Sequence, residues 1–238
     1  MLRLFEMGPH RIEYRIQRTS RTGSVGIQVL PNSSVLLRIP KRFSEKKLDE
    51  IVEKRAAWIL AKQNHFKENF KVYSLTQGAK LPYRGQSICL QIQQASIAQR
   101  SVSFNGTELI VLLREGDGIE PHLRAQLLKW YYAQAREKII ESIDRFQMDL
   151  GVSVKKISVR NQRQRWGSCN HKQHLSFNWR LILVPPQLLD YVVLHEMCHV
   201  LHPNHSRFFW ETVESVMPNY AENRRGLRQK SAEYFSFL

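Results

Sequence analysis

Cysteine is scarce: Cys89, Cys169 and Cys198 are the only three in 238 residues, an odd number without C-x-x-C spacing. That excludes a disulfide framework and a thiolate zinc knuckle, and it predicts a reduced, intracellular setting. Long apolar runs are missing too, since nothing approaches the roughly 18 to 20 uninterrupted apolar residues of a membrane span. The opening MLRLFEMGPHRIEYRIQR has no apolar core of a secretion signal. A soluble, cytoplasmic protein without a membrane partner is expected. Carboxylates are also few, with 21 Asp and Glu against 36 Lys and Arg for a formal net charge of +15. The excess is spread over both halves of the chain, so it predicts weak, non-specific attraction to nucleic acid rather than a dedicated module. No internal repeat, helix-turn-helix spacing, aromatic RNA-binding signature or G-x-x-x-x-G-K-[ST] phosphate loop is present. Nothing in the residues specifies an oligomeric state.

What is present is an ordinary globular composition, 42% hydrophobic and 10% aromatic, enough for a real core. Alternation at Ile12, Tyr14, Ile16, at Val25, Ile27, Val29 and at Val35, Leu37, Ile39 predicts half-buried strands, the last two joined by the turn PNSS. A small antiparallel sheet is the expectation. Behind Ser44, a candidate N-cap, Leu48, Ile51, Val52, Trp58 and Ile59 recur at helical spacing and predict one long helix. Further strands are expected around 90–92 and 102–104, with Asn105-Gly106 closing a tight hairpin. The charged, glycine-bearing stretch REGDGIEP, 114–121, is the best linker candidate, giving a β-rich N-terminal region over 1–118 and a second region over 119–238. The second region opens on a helix from Pro121 to Leu150 stopped by Gly151, followed by strands around 157–159 and 175–179. The fold class expected is α+β.

Chemistry concentrates in LHEMCHVLHPNHSRFFW, 194–210. Pro185-Pro186 can open a helix, and an apolar stripe from Leu188 to Leu201 runs up to Pro203. His195 and His199 therefore lie one turn apart on one helix face, where two imidazoles can share an ion. With Glu196 they spell H-E-x-x-H, in which the glutamate serves as general base toward water on a zinc ion. A catalytic zinc needs a third protein ligand. His202 lies a further turn along the axis, too far to close around the same ion, whereas His205 follows the break at Pro203-Asn204 and can turn back. His205 is favoured, with Glu211 or Glu214 the remaining rivals. Ser206 is a candidate cap for a helix from Phe208 to Met217, with Phe208, Phe209 and Trp210 packing behind the metal. Cys198 should point away from it.

RQRWGSCN at 163–170, a strand ending in NWRL, the helix DYVVLHEMCH and then NHSRFFW resemble the YgjP-like metallopeptidase-domain family, and more distantly the SprT-like zinc proteases. The likeness extends into the N-terminal region through IPKRFSEKK and RAAWILAKQ. It implies a zincin-like catalytic region with the H-E-x-x-H helix packed on a small sheet, Glu196 as catalytic base, and His195, His199 and His205 as ligands of one zinc ion. Other transition metals are also suited to imidazole. Arg165, Trp166 and Ser168 have two readings. They form a strand edge that binds a peptide or small anionic substrate, or Trp166 is core and Gly167 is there for close backbone approach.

A zinc-dependent hydrolase, foremost a metallopeptidase, is the expectation that H-E-x-x-H and the family resemblance together imply. The carboxylate-free basic stretch 155–180, with seven Lys and Arg, keeps open hydrolysis of a nucleoside triphosphate phosphoanhydride. A nucleic-acid-associated protein with a structural zinc site is the third expectation.

Overall fold

In a computed structural model of the chain, the residues described are 2–8, 10–20, 25–30, 32–69, 73–96, 100–116, 118–162 and 165–238. Pro31 of the expected turn, Asp117 of the expected linker, and Arg163 and Gln164 of the basic stretch lie outside them. Two compact units part between Lys71 and Val72. The sequence placed its break at 118/119. That stretch is instead a short connection inside the second unit, because the strands before it and the long helix after it share one hydrophobic core.

The first unit is a four-stranded sheet, β1 (Leu2–Met7), β2 (His10–Thr19), β3 (Gly26–Val29) and β4 (Val35–Pro40), in the order β1-β2-β4-β3. The expected strands are present, but β2 runs parallel to β4, so the sheet is mixed rather than antiparallel. Alternation fixes which side chains face inward and is blind to strand direction. The expected long helix is two pieces, α1 (Leu48–Glu53) and α2 (Ala56–Asn69), separated at Lys54-Arg55. Their apolar side chains Leu48, Val52, Ala56 and Ile59 join Ile12, Tyr14, Leu37 and Ile39 in the core. Ser44 precedes a 3-10 turn and makes no side-chain cap.

The second unit carries a mixed sheet of β5 (Lys80–Tyr83), β6 (Gln86–Ala95), β7 (Ser101–Phe104) and β8 (Glu108–Arg114), in the order β5-β6-β8-β7. The 32-residue α3 (Ile119–Leu150) ends on Gly151 in the left-handed conformation, as its position predicts. A three-stranded sheet follows, with β9 (Lys156–Arg160), β10 (Gly167–Cys169) and β11 (His174–Asn178) in the order β10-β11-β9. It leaves β10 at an edge. After the 3-10 turn Trp179–Ile182 come α4 (Pro186–Leu201), α5 (Arg207–Val216) and α6 (Tyr220–Phe235). No helix among the described residues is long and apolar enough to cross a membrane.

Two polar devices hold this unit together around α4. The hairpin between β5 and β6 docks on the approach to α4, with the Arg84 and Gly85 amides donating to the carbonyls of Ile182 and Leu183 at 2.8 and 2.9 Å. Arg180 is buried; its guanidinium donates to the Phe237 carbonyl at 3.0 Å and to Asn161 at 2.6 Å. It thereby ties the chain beyond α6 to the 3-10 turn. Gly85 has a φ of +78°, and a Cβ there would lie 2.7 to 3.0 Å from Pro185. Gly85→Ala combines left-handed strain with that clash, so it is expected to lower unfolding stability by about 2 to 3 kcal/mol. Urea titration of the two proteins measures it.

Candidate metal centre

Of the apolar residues of α4, Val193, Leu194, Met197 and Cys198 are buried in the core, and the helix presents His195 and His199, one turn apart, on another face. The helix stops at His202, whose backbone is extended, and Pro203 keeps it stopped. The chain then turns back and brings His205 to the pair. His205 Nε2 lies 3.0 Å from His195 Nε2, and one nitrogen from each of His195, His199 and His205 falls within 4.8 Å of the others. Zn–N bonds of about 2.0 to 2.1 Å in a tetrahedral set put neighbouring nitrogens about 3.3 Å apart. The three rings thus fit one ion. The His199 tautomer fits as well: its Nδ1 lies 3.0 Å from the His202 carbonyl, which can only accept, so the proton sits on Nδ1 and the Nε2 lone pair is free.

His195 and His205 are also biased toward the neutral form. Burial, and then the neighbouring His199 and His205, hold His195 down to about 3. His205 is lowered by its own partial burial and by His199 and Arg224. A neutral imidazole can ligate and a protonated one cannot. Phe209, fully buried, packs its ring 4.6 to 4.9 Å from all three imidazoles. Trp210 stacks on His205 at 5.6 Å and on Tyr220 at 5.4 Å. Phe208 does not pack behind the cluster as expected and is 67% exposed. Phe208 lies two 100° steps from Trp210 on the helix, so with Phe209 and Trp210 both on the imidazoles it points away. Among the described residues, Glu211 and Glu214 are not in the cluster, and Glu211 pairs with Arg207 at 2.6 Å. His202 turns its ring to Thr212 Oγ1 at 3.0 Å.

Glu196 is 7% exposed, under the backbone of β10. A Cβ on Gly167 would lie 2.6 Å from its Cγ and 2.7 Å from its Oε1, so any other residue there would force the Glu196 side chain to shift. Desolvation pushes the Glu196 carboxyl up to about 7, opposed by the Cys169 backbone N–H and by Arg165. Burial therefore makes it a stronger base than a surface carboxylate. The segment before β10 is pinned by the buried Asn178, whose side-chain amide donates to the carbonyls of Gln162 at 2.6 Å and Arg165 at 3.1 Å.

A cleft of about 650 Å³ opens over these groups, lined by Arg165, Gly167 and Ser168 along with Glu196 and the three histidines. Arg165 and Ser168 are thus brought to the site. Trp166 is half-buried, donates its indole N–H to Ser231 at 3.0 Å and packs 4.5 Å from Phe235. Cys169 lines the cleft through its own residue, while Cys198 is buried and its thiol is pushed up to about 12 by desolvation. Sequence reasoning missed α6 and its arginines Arg224 and Arg228. It also missed Tyr191, whose spacing of four from His195 was the available signal. Replacing one ring tests the ligand set. His205→Ala is expected to weaken zinc by more than about 100-fold, beyond the 10- to 100-fold of an outer partner. His202→Ala leaves intact the backbone carbonyl that orients His199 and should stay within about ten-fold. Competition with a chromogenic chelator reads both.

Solved structures offer partial likenesses. The crystal structure of the metallopeptidase zymogen of Pyrococcus abyssi abylysin is similar at a TM-score of 0.37 and 18% identity, over 40% of this chain and 97% of that one. The metallopeptidase zymogen of Methanocaldococcus jannaschii jannalysin is similar at 0.36 and 22%, over 39% and 96%. No curated protein matches. The family described as YgjP-like, metallopeptidase domain, matches residues 23–230, nearly the whole length and both units. With that extent of match, the chain belongs to the YgjP-like metallopeptidase-domain family.

Proposed function

We propose that the chain is a zinc-dependent peptidase of zincin-like layout, with His195, His199 and His205 holding the ion and Glu196 acting as general base. The observation that carries this reading is the convergence of three imidazole nitrogens within 4.8 Å beside a buried carboxylate. When bound, a dication on three neutral ligands makes its water acidic near neutral pH and polarises a carbonyl. Three ligands facing an open cleft suit a working site better than a structural one, which closes with four. Glu196 takes the proton of the attacking water and returns it to the departing amine. The Cys169 N–H and the Gly167 backbone keep its carboxylate aimed. The edge position of β10 leaves one side of that strand without a neighbour in its sheet, where an extended peptide can lie alongside. Arg165 and Ser168, on the cleft wall, are the substrate-contacting side chains, and Trp166 supports them from behind.

A second reading, hydrolysis of a phosphoanhydride in a nucleoside triphosphate by the same groups, draws on Arg165 at the cleft and the carboxylate-free stretch around it. Zinc-loaded protein offered casein and a nucleotide panel separates the two by whether peptides or phosphate are released. Contact with nucleic acid remains, on this reading, general electrostatics that fades with added salt.

Glu196→Gln should keep zinc and lose about 10²- to 10⁴-fold in kcat, the usual worth of a general base; full activity in that variant would remove Glu196 from the mechanism. His199→Ala should lose the metal. Gly167→Ala should retain zinc by metal analysis yet lose about 10²-fold in turnover, because the new methyl displaces the carboxylate.

A further inference from the structure

Beside the imidazole cluster lies a second cavity of about 390 Å³. It shares Arg165, Gly167, His195 and Glu196 with the cleft, and α6 closes it with Arg224, Leu227, Arg228 and Ser231. Three arginines therefore line a space whose only carboxylate among the described lining residues is Glu196, and Glu196 already accepts from the Cys169 N–H. Among the described residues, none of the three arginines makes an ion pair with a second carboxylate. Arg224 and Arg228 stand four apart on one face of α6, where like charges repel unless an anion lies between them. Arg224 rests its guanidinium 4.7 Å from the Trp210 ring centroid, a contact with the ring face that leaves its N–H groups available. The remaining walls are largely apolar, from Trp166, Tyr191, Val192 and Leu227.

We propose that this cavity is a specificity subsite for a carboxylate of the peptide substrate, carried next to the bond that is cut. The proposal rests on the peptidase reading above. Guanidinium forks match a planar carboxylate with paired hydrogen bonds, and apolar walls match the methylenes that carry it. The same forks also pair with phosphate, and what favours a carboxylate borne on methylenes over a polyphosphate is the apolar remainder of the lining, Trp166, Tyr191, Val192 and Leu227. The carboxylate belongs to an Asp or Glu side chain or to the end of the substrate chain, which are one chemistry from two sources.

The test uses the full zinc-loaded chain and quenched peptides of one sequence. They carry Glu, Gln or Lys beside the cleaved bond, each as free acid and as amide. A side-chain source predicts kcat/KM at least about ten-fold higher for Glu than for Gln, and an end-group source predicts the same preference for free acid over amide. Within Arg224→Gln and Arg228→Gln the ratio should fall toward one, and in Arg228→Glu it should tilt toward Lys. A readout independent of turnover is calorimetric titration with N-acetylglutamate and N-acetylglutamine. Arg228→Glu should lose about ten-fold or more in affinity for the former, while its zinc content stays at the wild-type level. Arg228→Gln serves if Arg228→Glu does not fold. Flat ratios together with equal N-acetylglutamate affinity in wild type and Arg228→Glu overturn the subsite and leave the peptidase reading standing. Binding that depends on Arg228 without cleavage of any peptide keeps the carboxylate site and overturns the peptidase reading. Binding of inorganic triphosphate in place of N-acetylglutamate overturns the subsite.

Discussion

The site depends on one close contact, between the backbone of β10 at Gly167 and the side chain of Glu196. A carboxylate this deeply buried is costly unless something satisfies it, and the Cys169 N–H does so from the same short strand. Strand and helix are thereby locked in register. Anything that moved β10 outward by the width of a methyl group would free the carboxylate to turn. Asn178 keeps the approach to β10 in place through the carbonyls of Gln162 and Arg165, and the hairpin at Gly85 seats the start of α4. The wider fold of the second unit thus acts on Glu196 through two of its backbone neighbours.

Three imidazoles meet for a different reason. His195 and His199 are placed by helical period alone, whereas His205 arrives because the helix cannot continue through Pro203. Phe209 packs against all three rings. Dry packing behind and an open cleft in front suit a centre that must stay unprotonated and still be reached by substrate.

Much of this was legible beforehand, and the failures share a cause. The helix from Pro186 to Leu201, the stop at Gly151 and the hairpin at Asn105-Gly106 were read correctly, since period, proline and glycine act within a few residues. The direction of β2 beside β4 was missed because alternation carries no information on parallel or antiparallel pairing. Phe208 was assigned to packing from its type, and its helical phase put it in solvent. The break expected at 118/119 followed local charge and glycine content, which cannot register that α3 packs back on the strands before it.

From the residues alone came the H-E-x-x-H spacing, the choice of His205 over His202, and the family likeness, all properties of order along the chain. Tertiary structure alone decided the geometry around Glu196: which backbone presses on it, which amide bonds it, and how far burial raises its proton affinity. It also brought Arg224 and Arg228, distant in sequence from Arg165, to the edge of the same site. Local spacing sets which side chains share a face, but only long-range packing sets what that face meets.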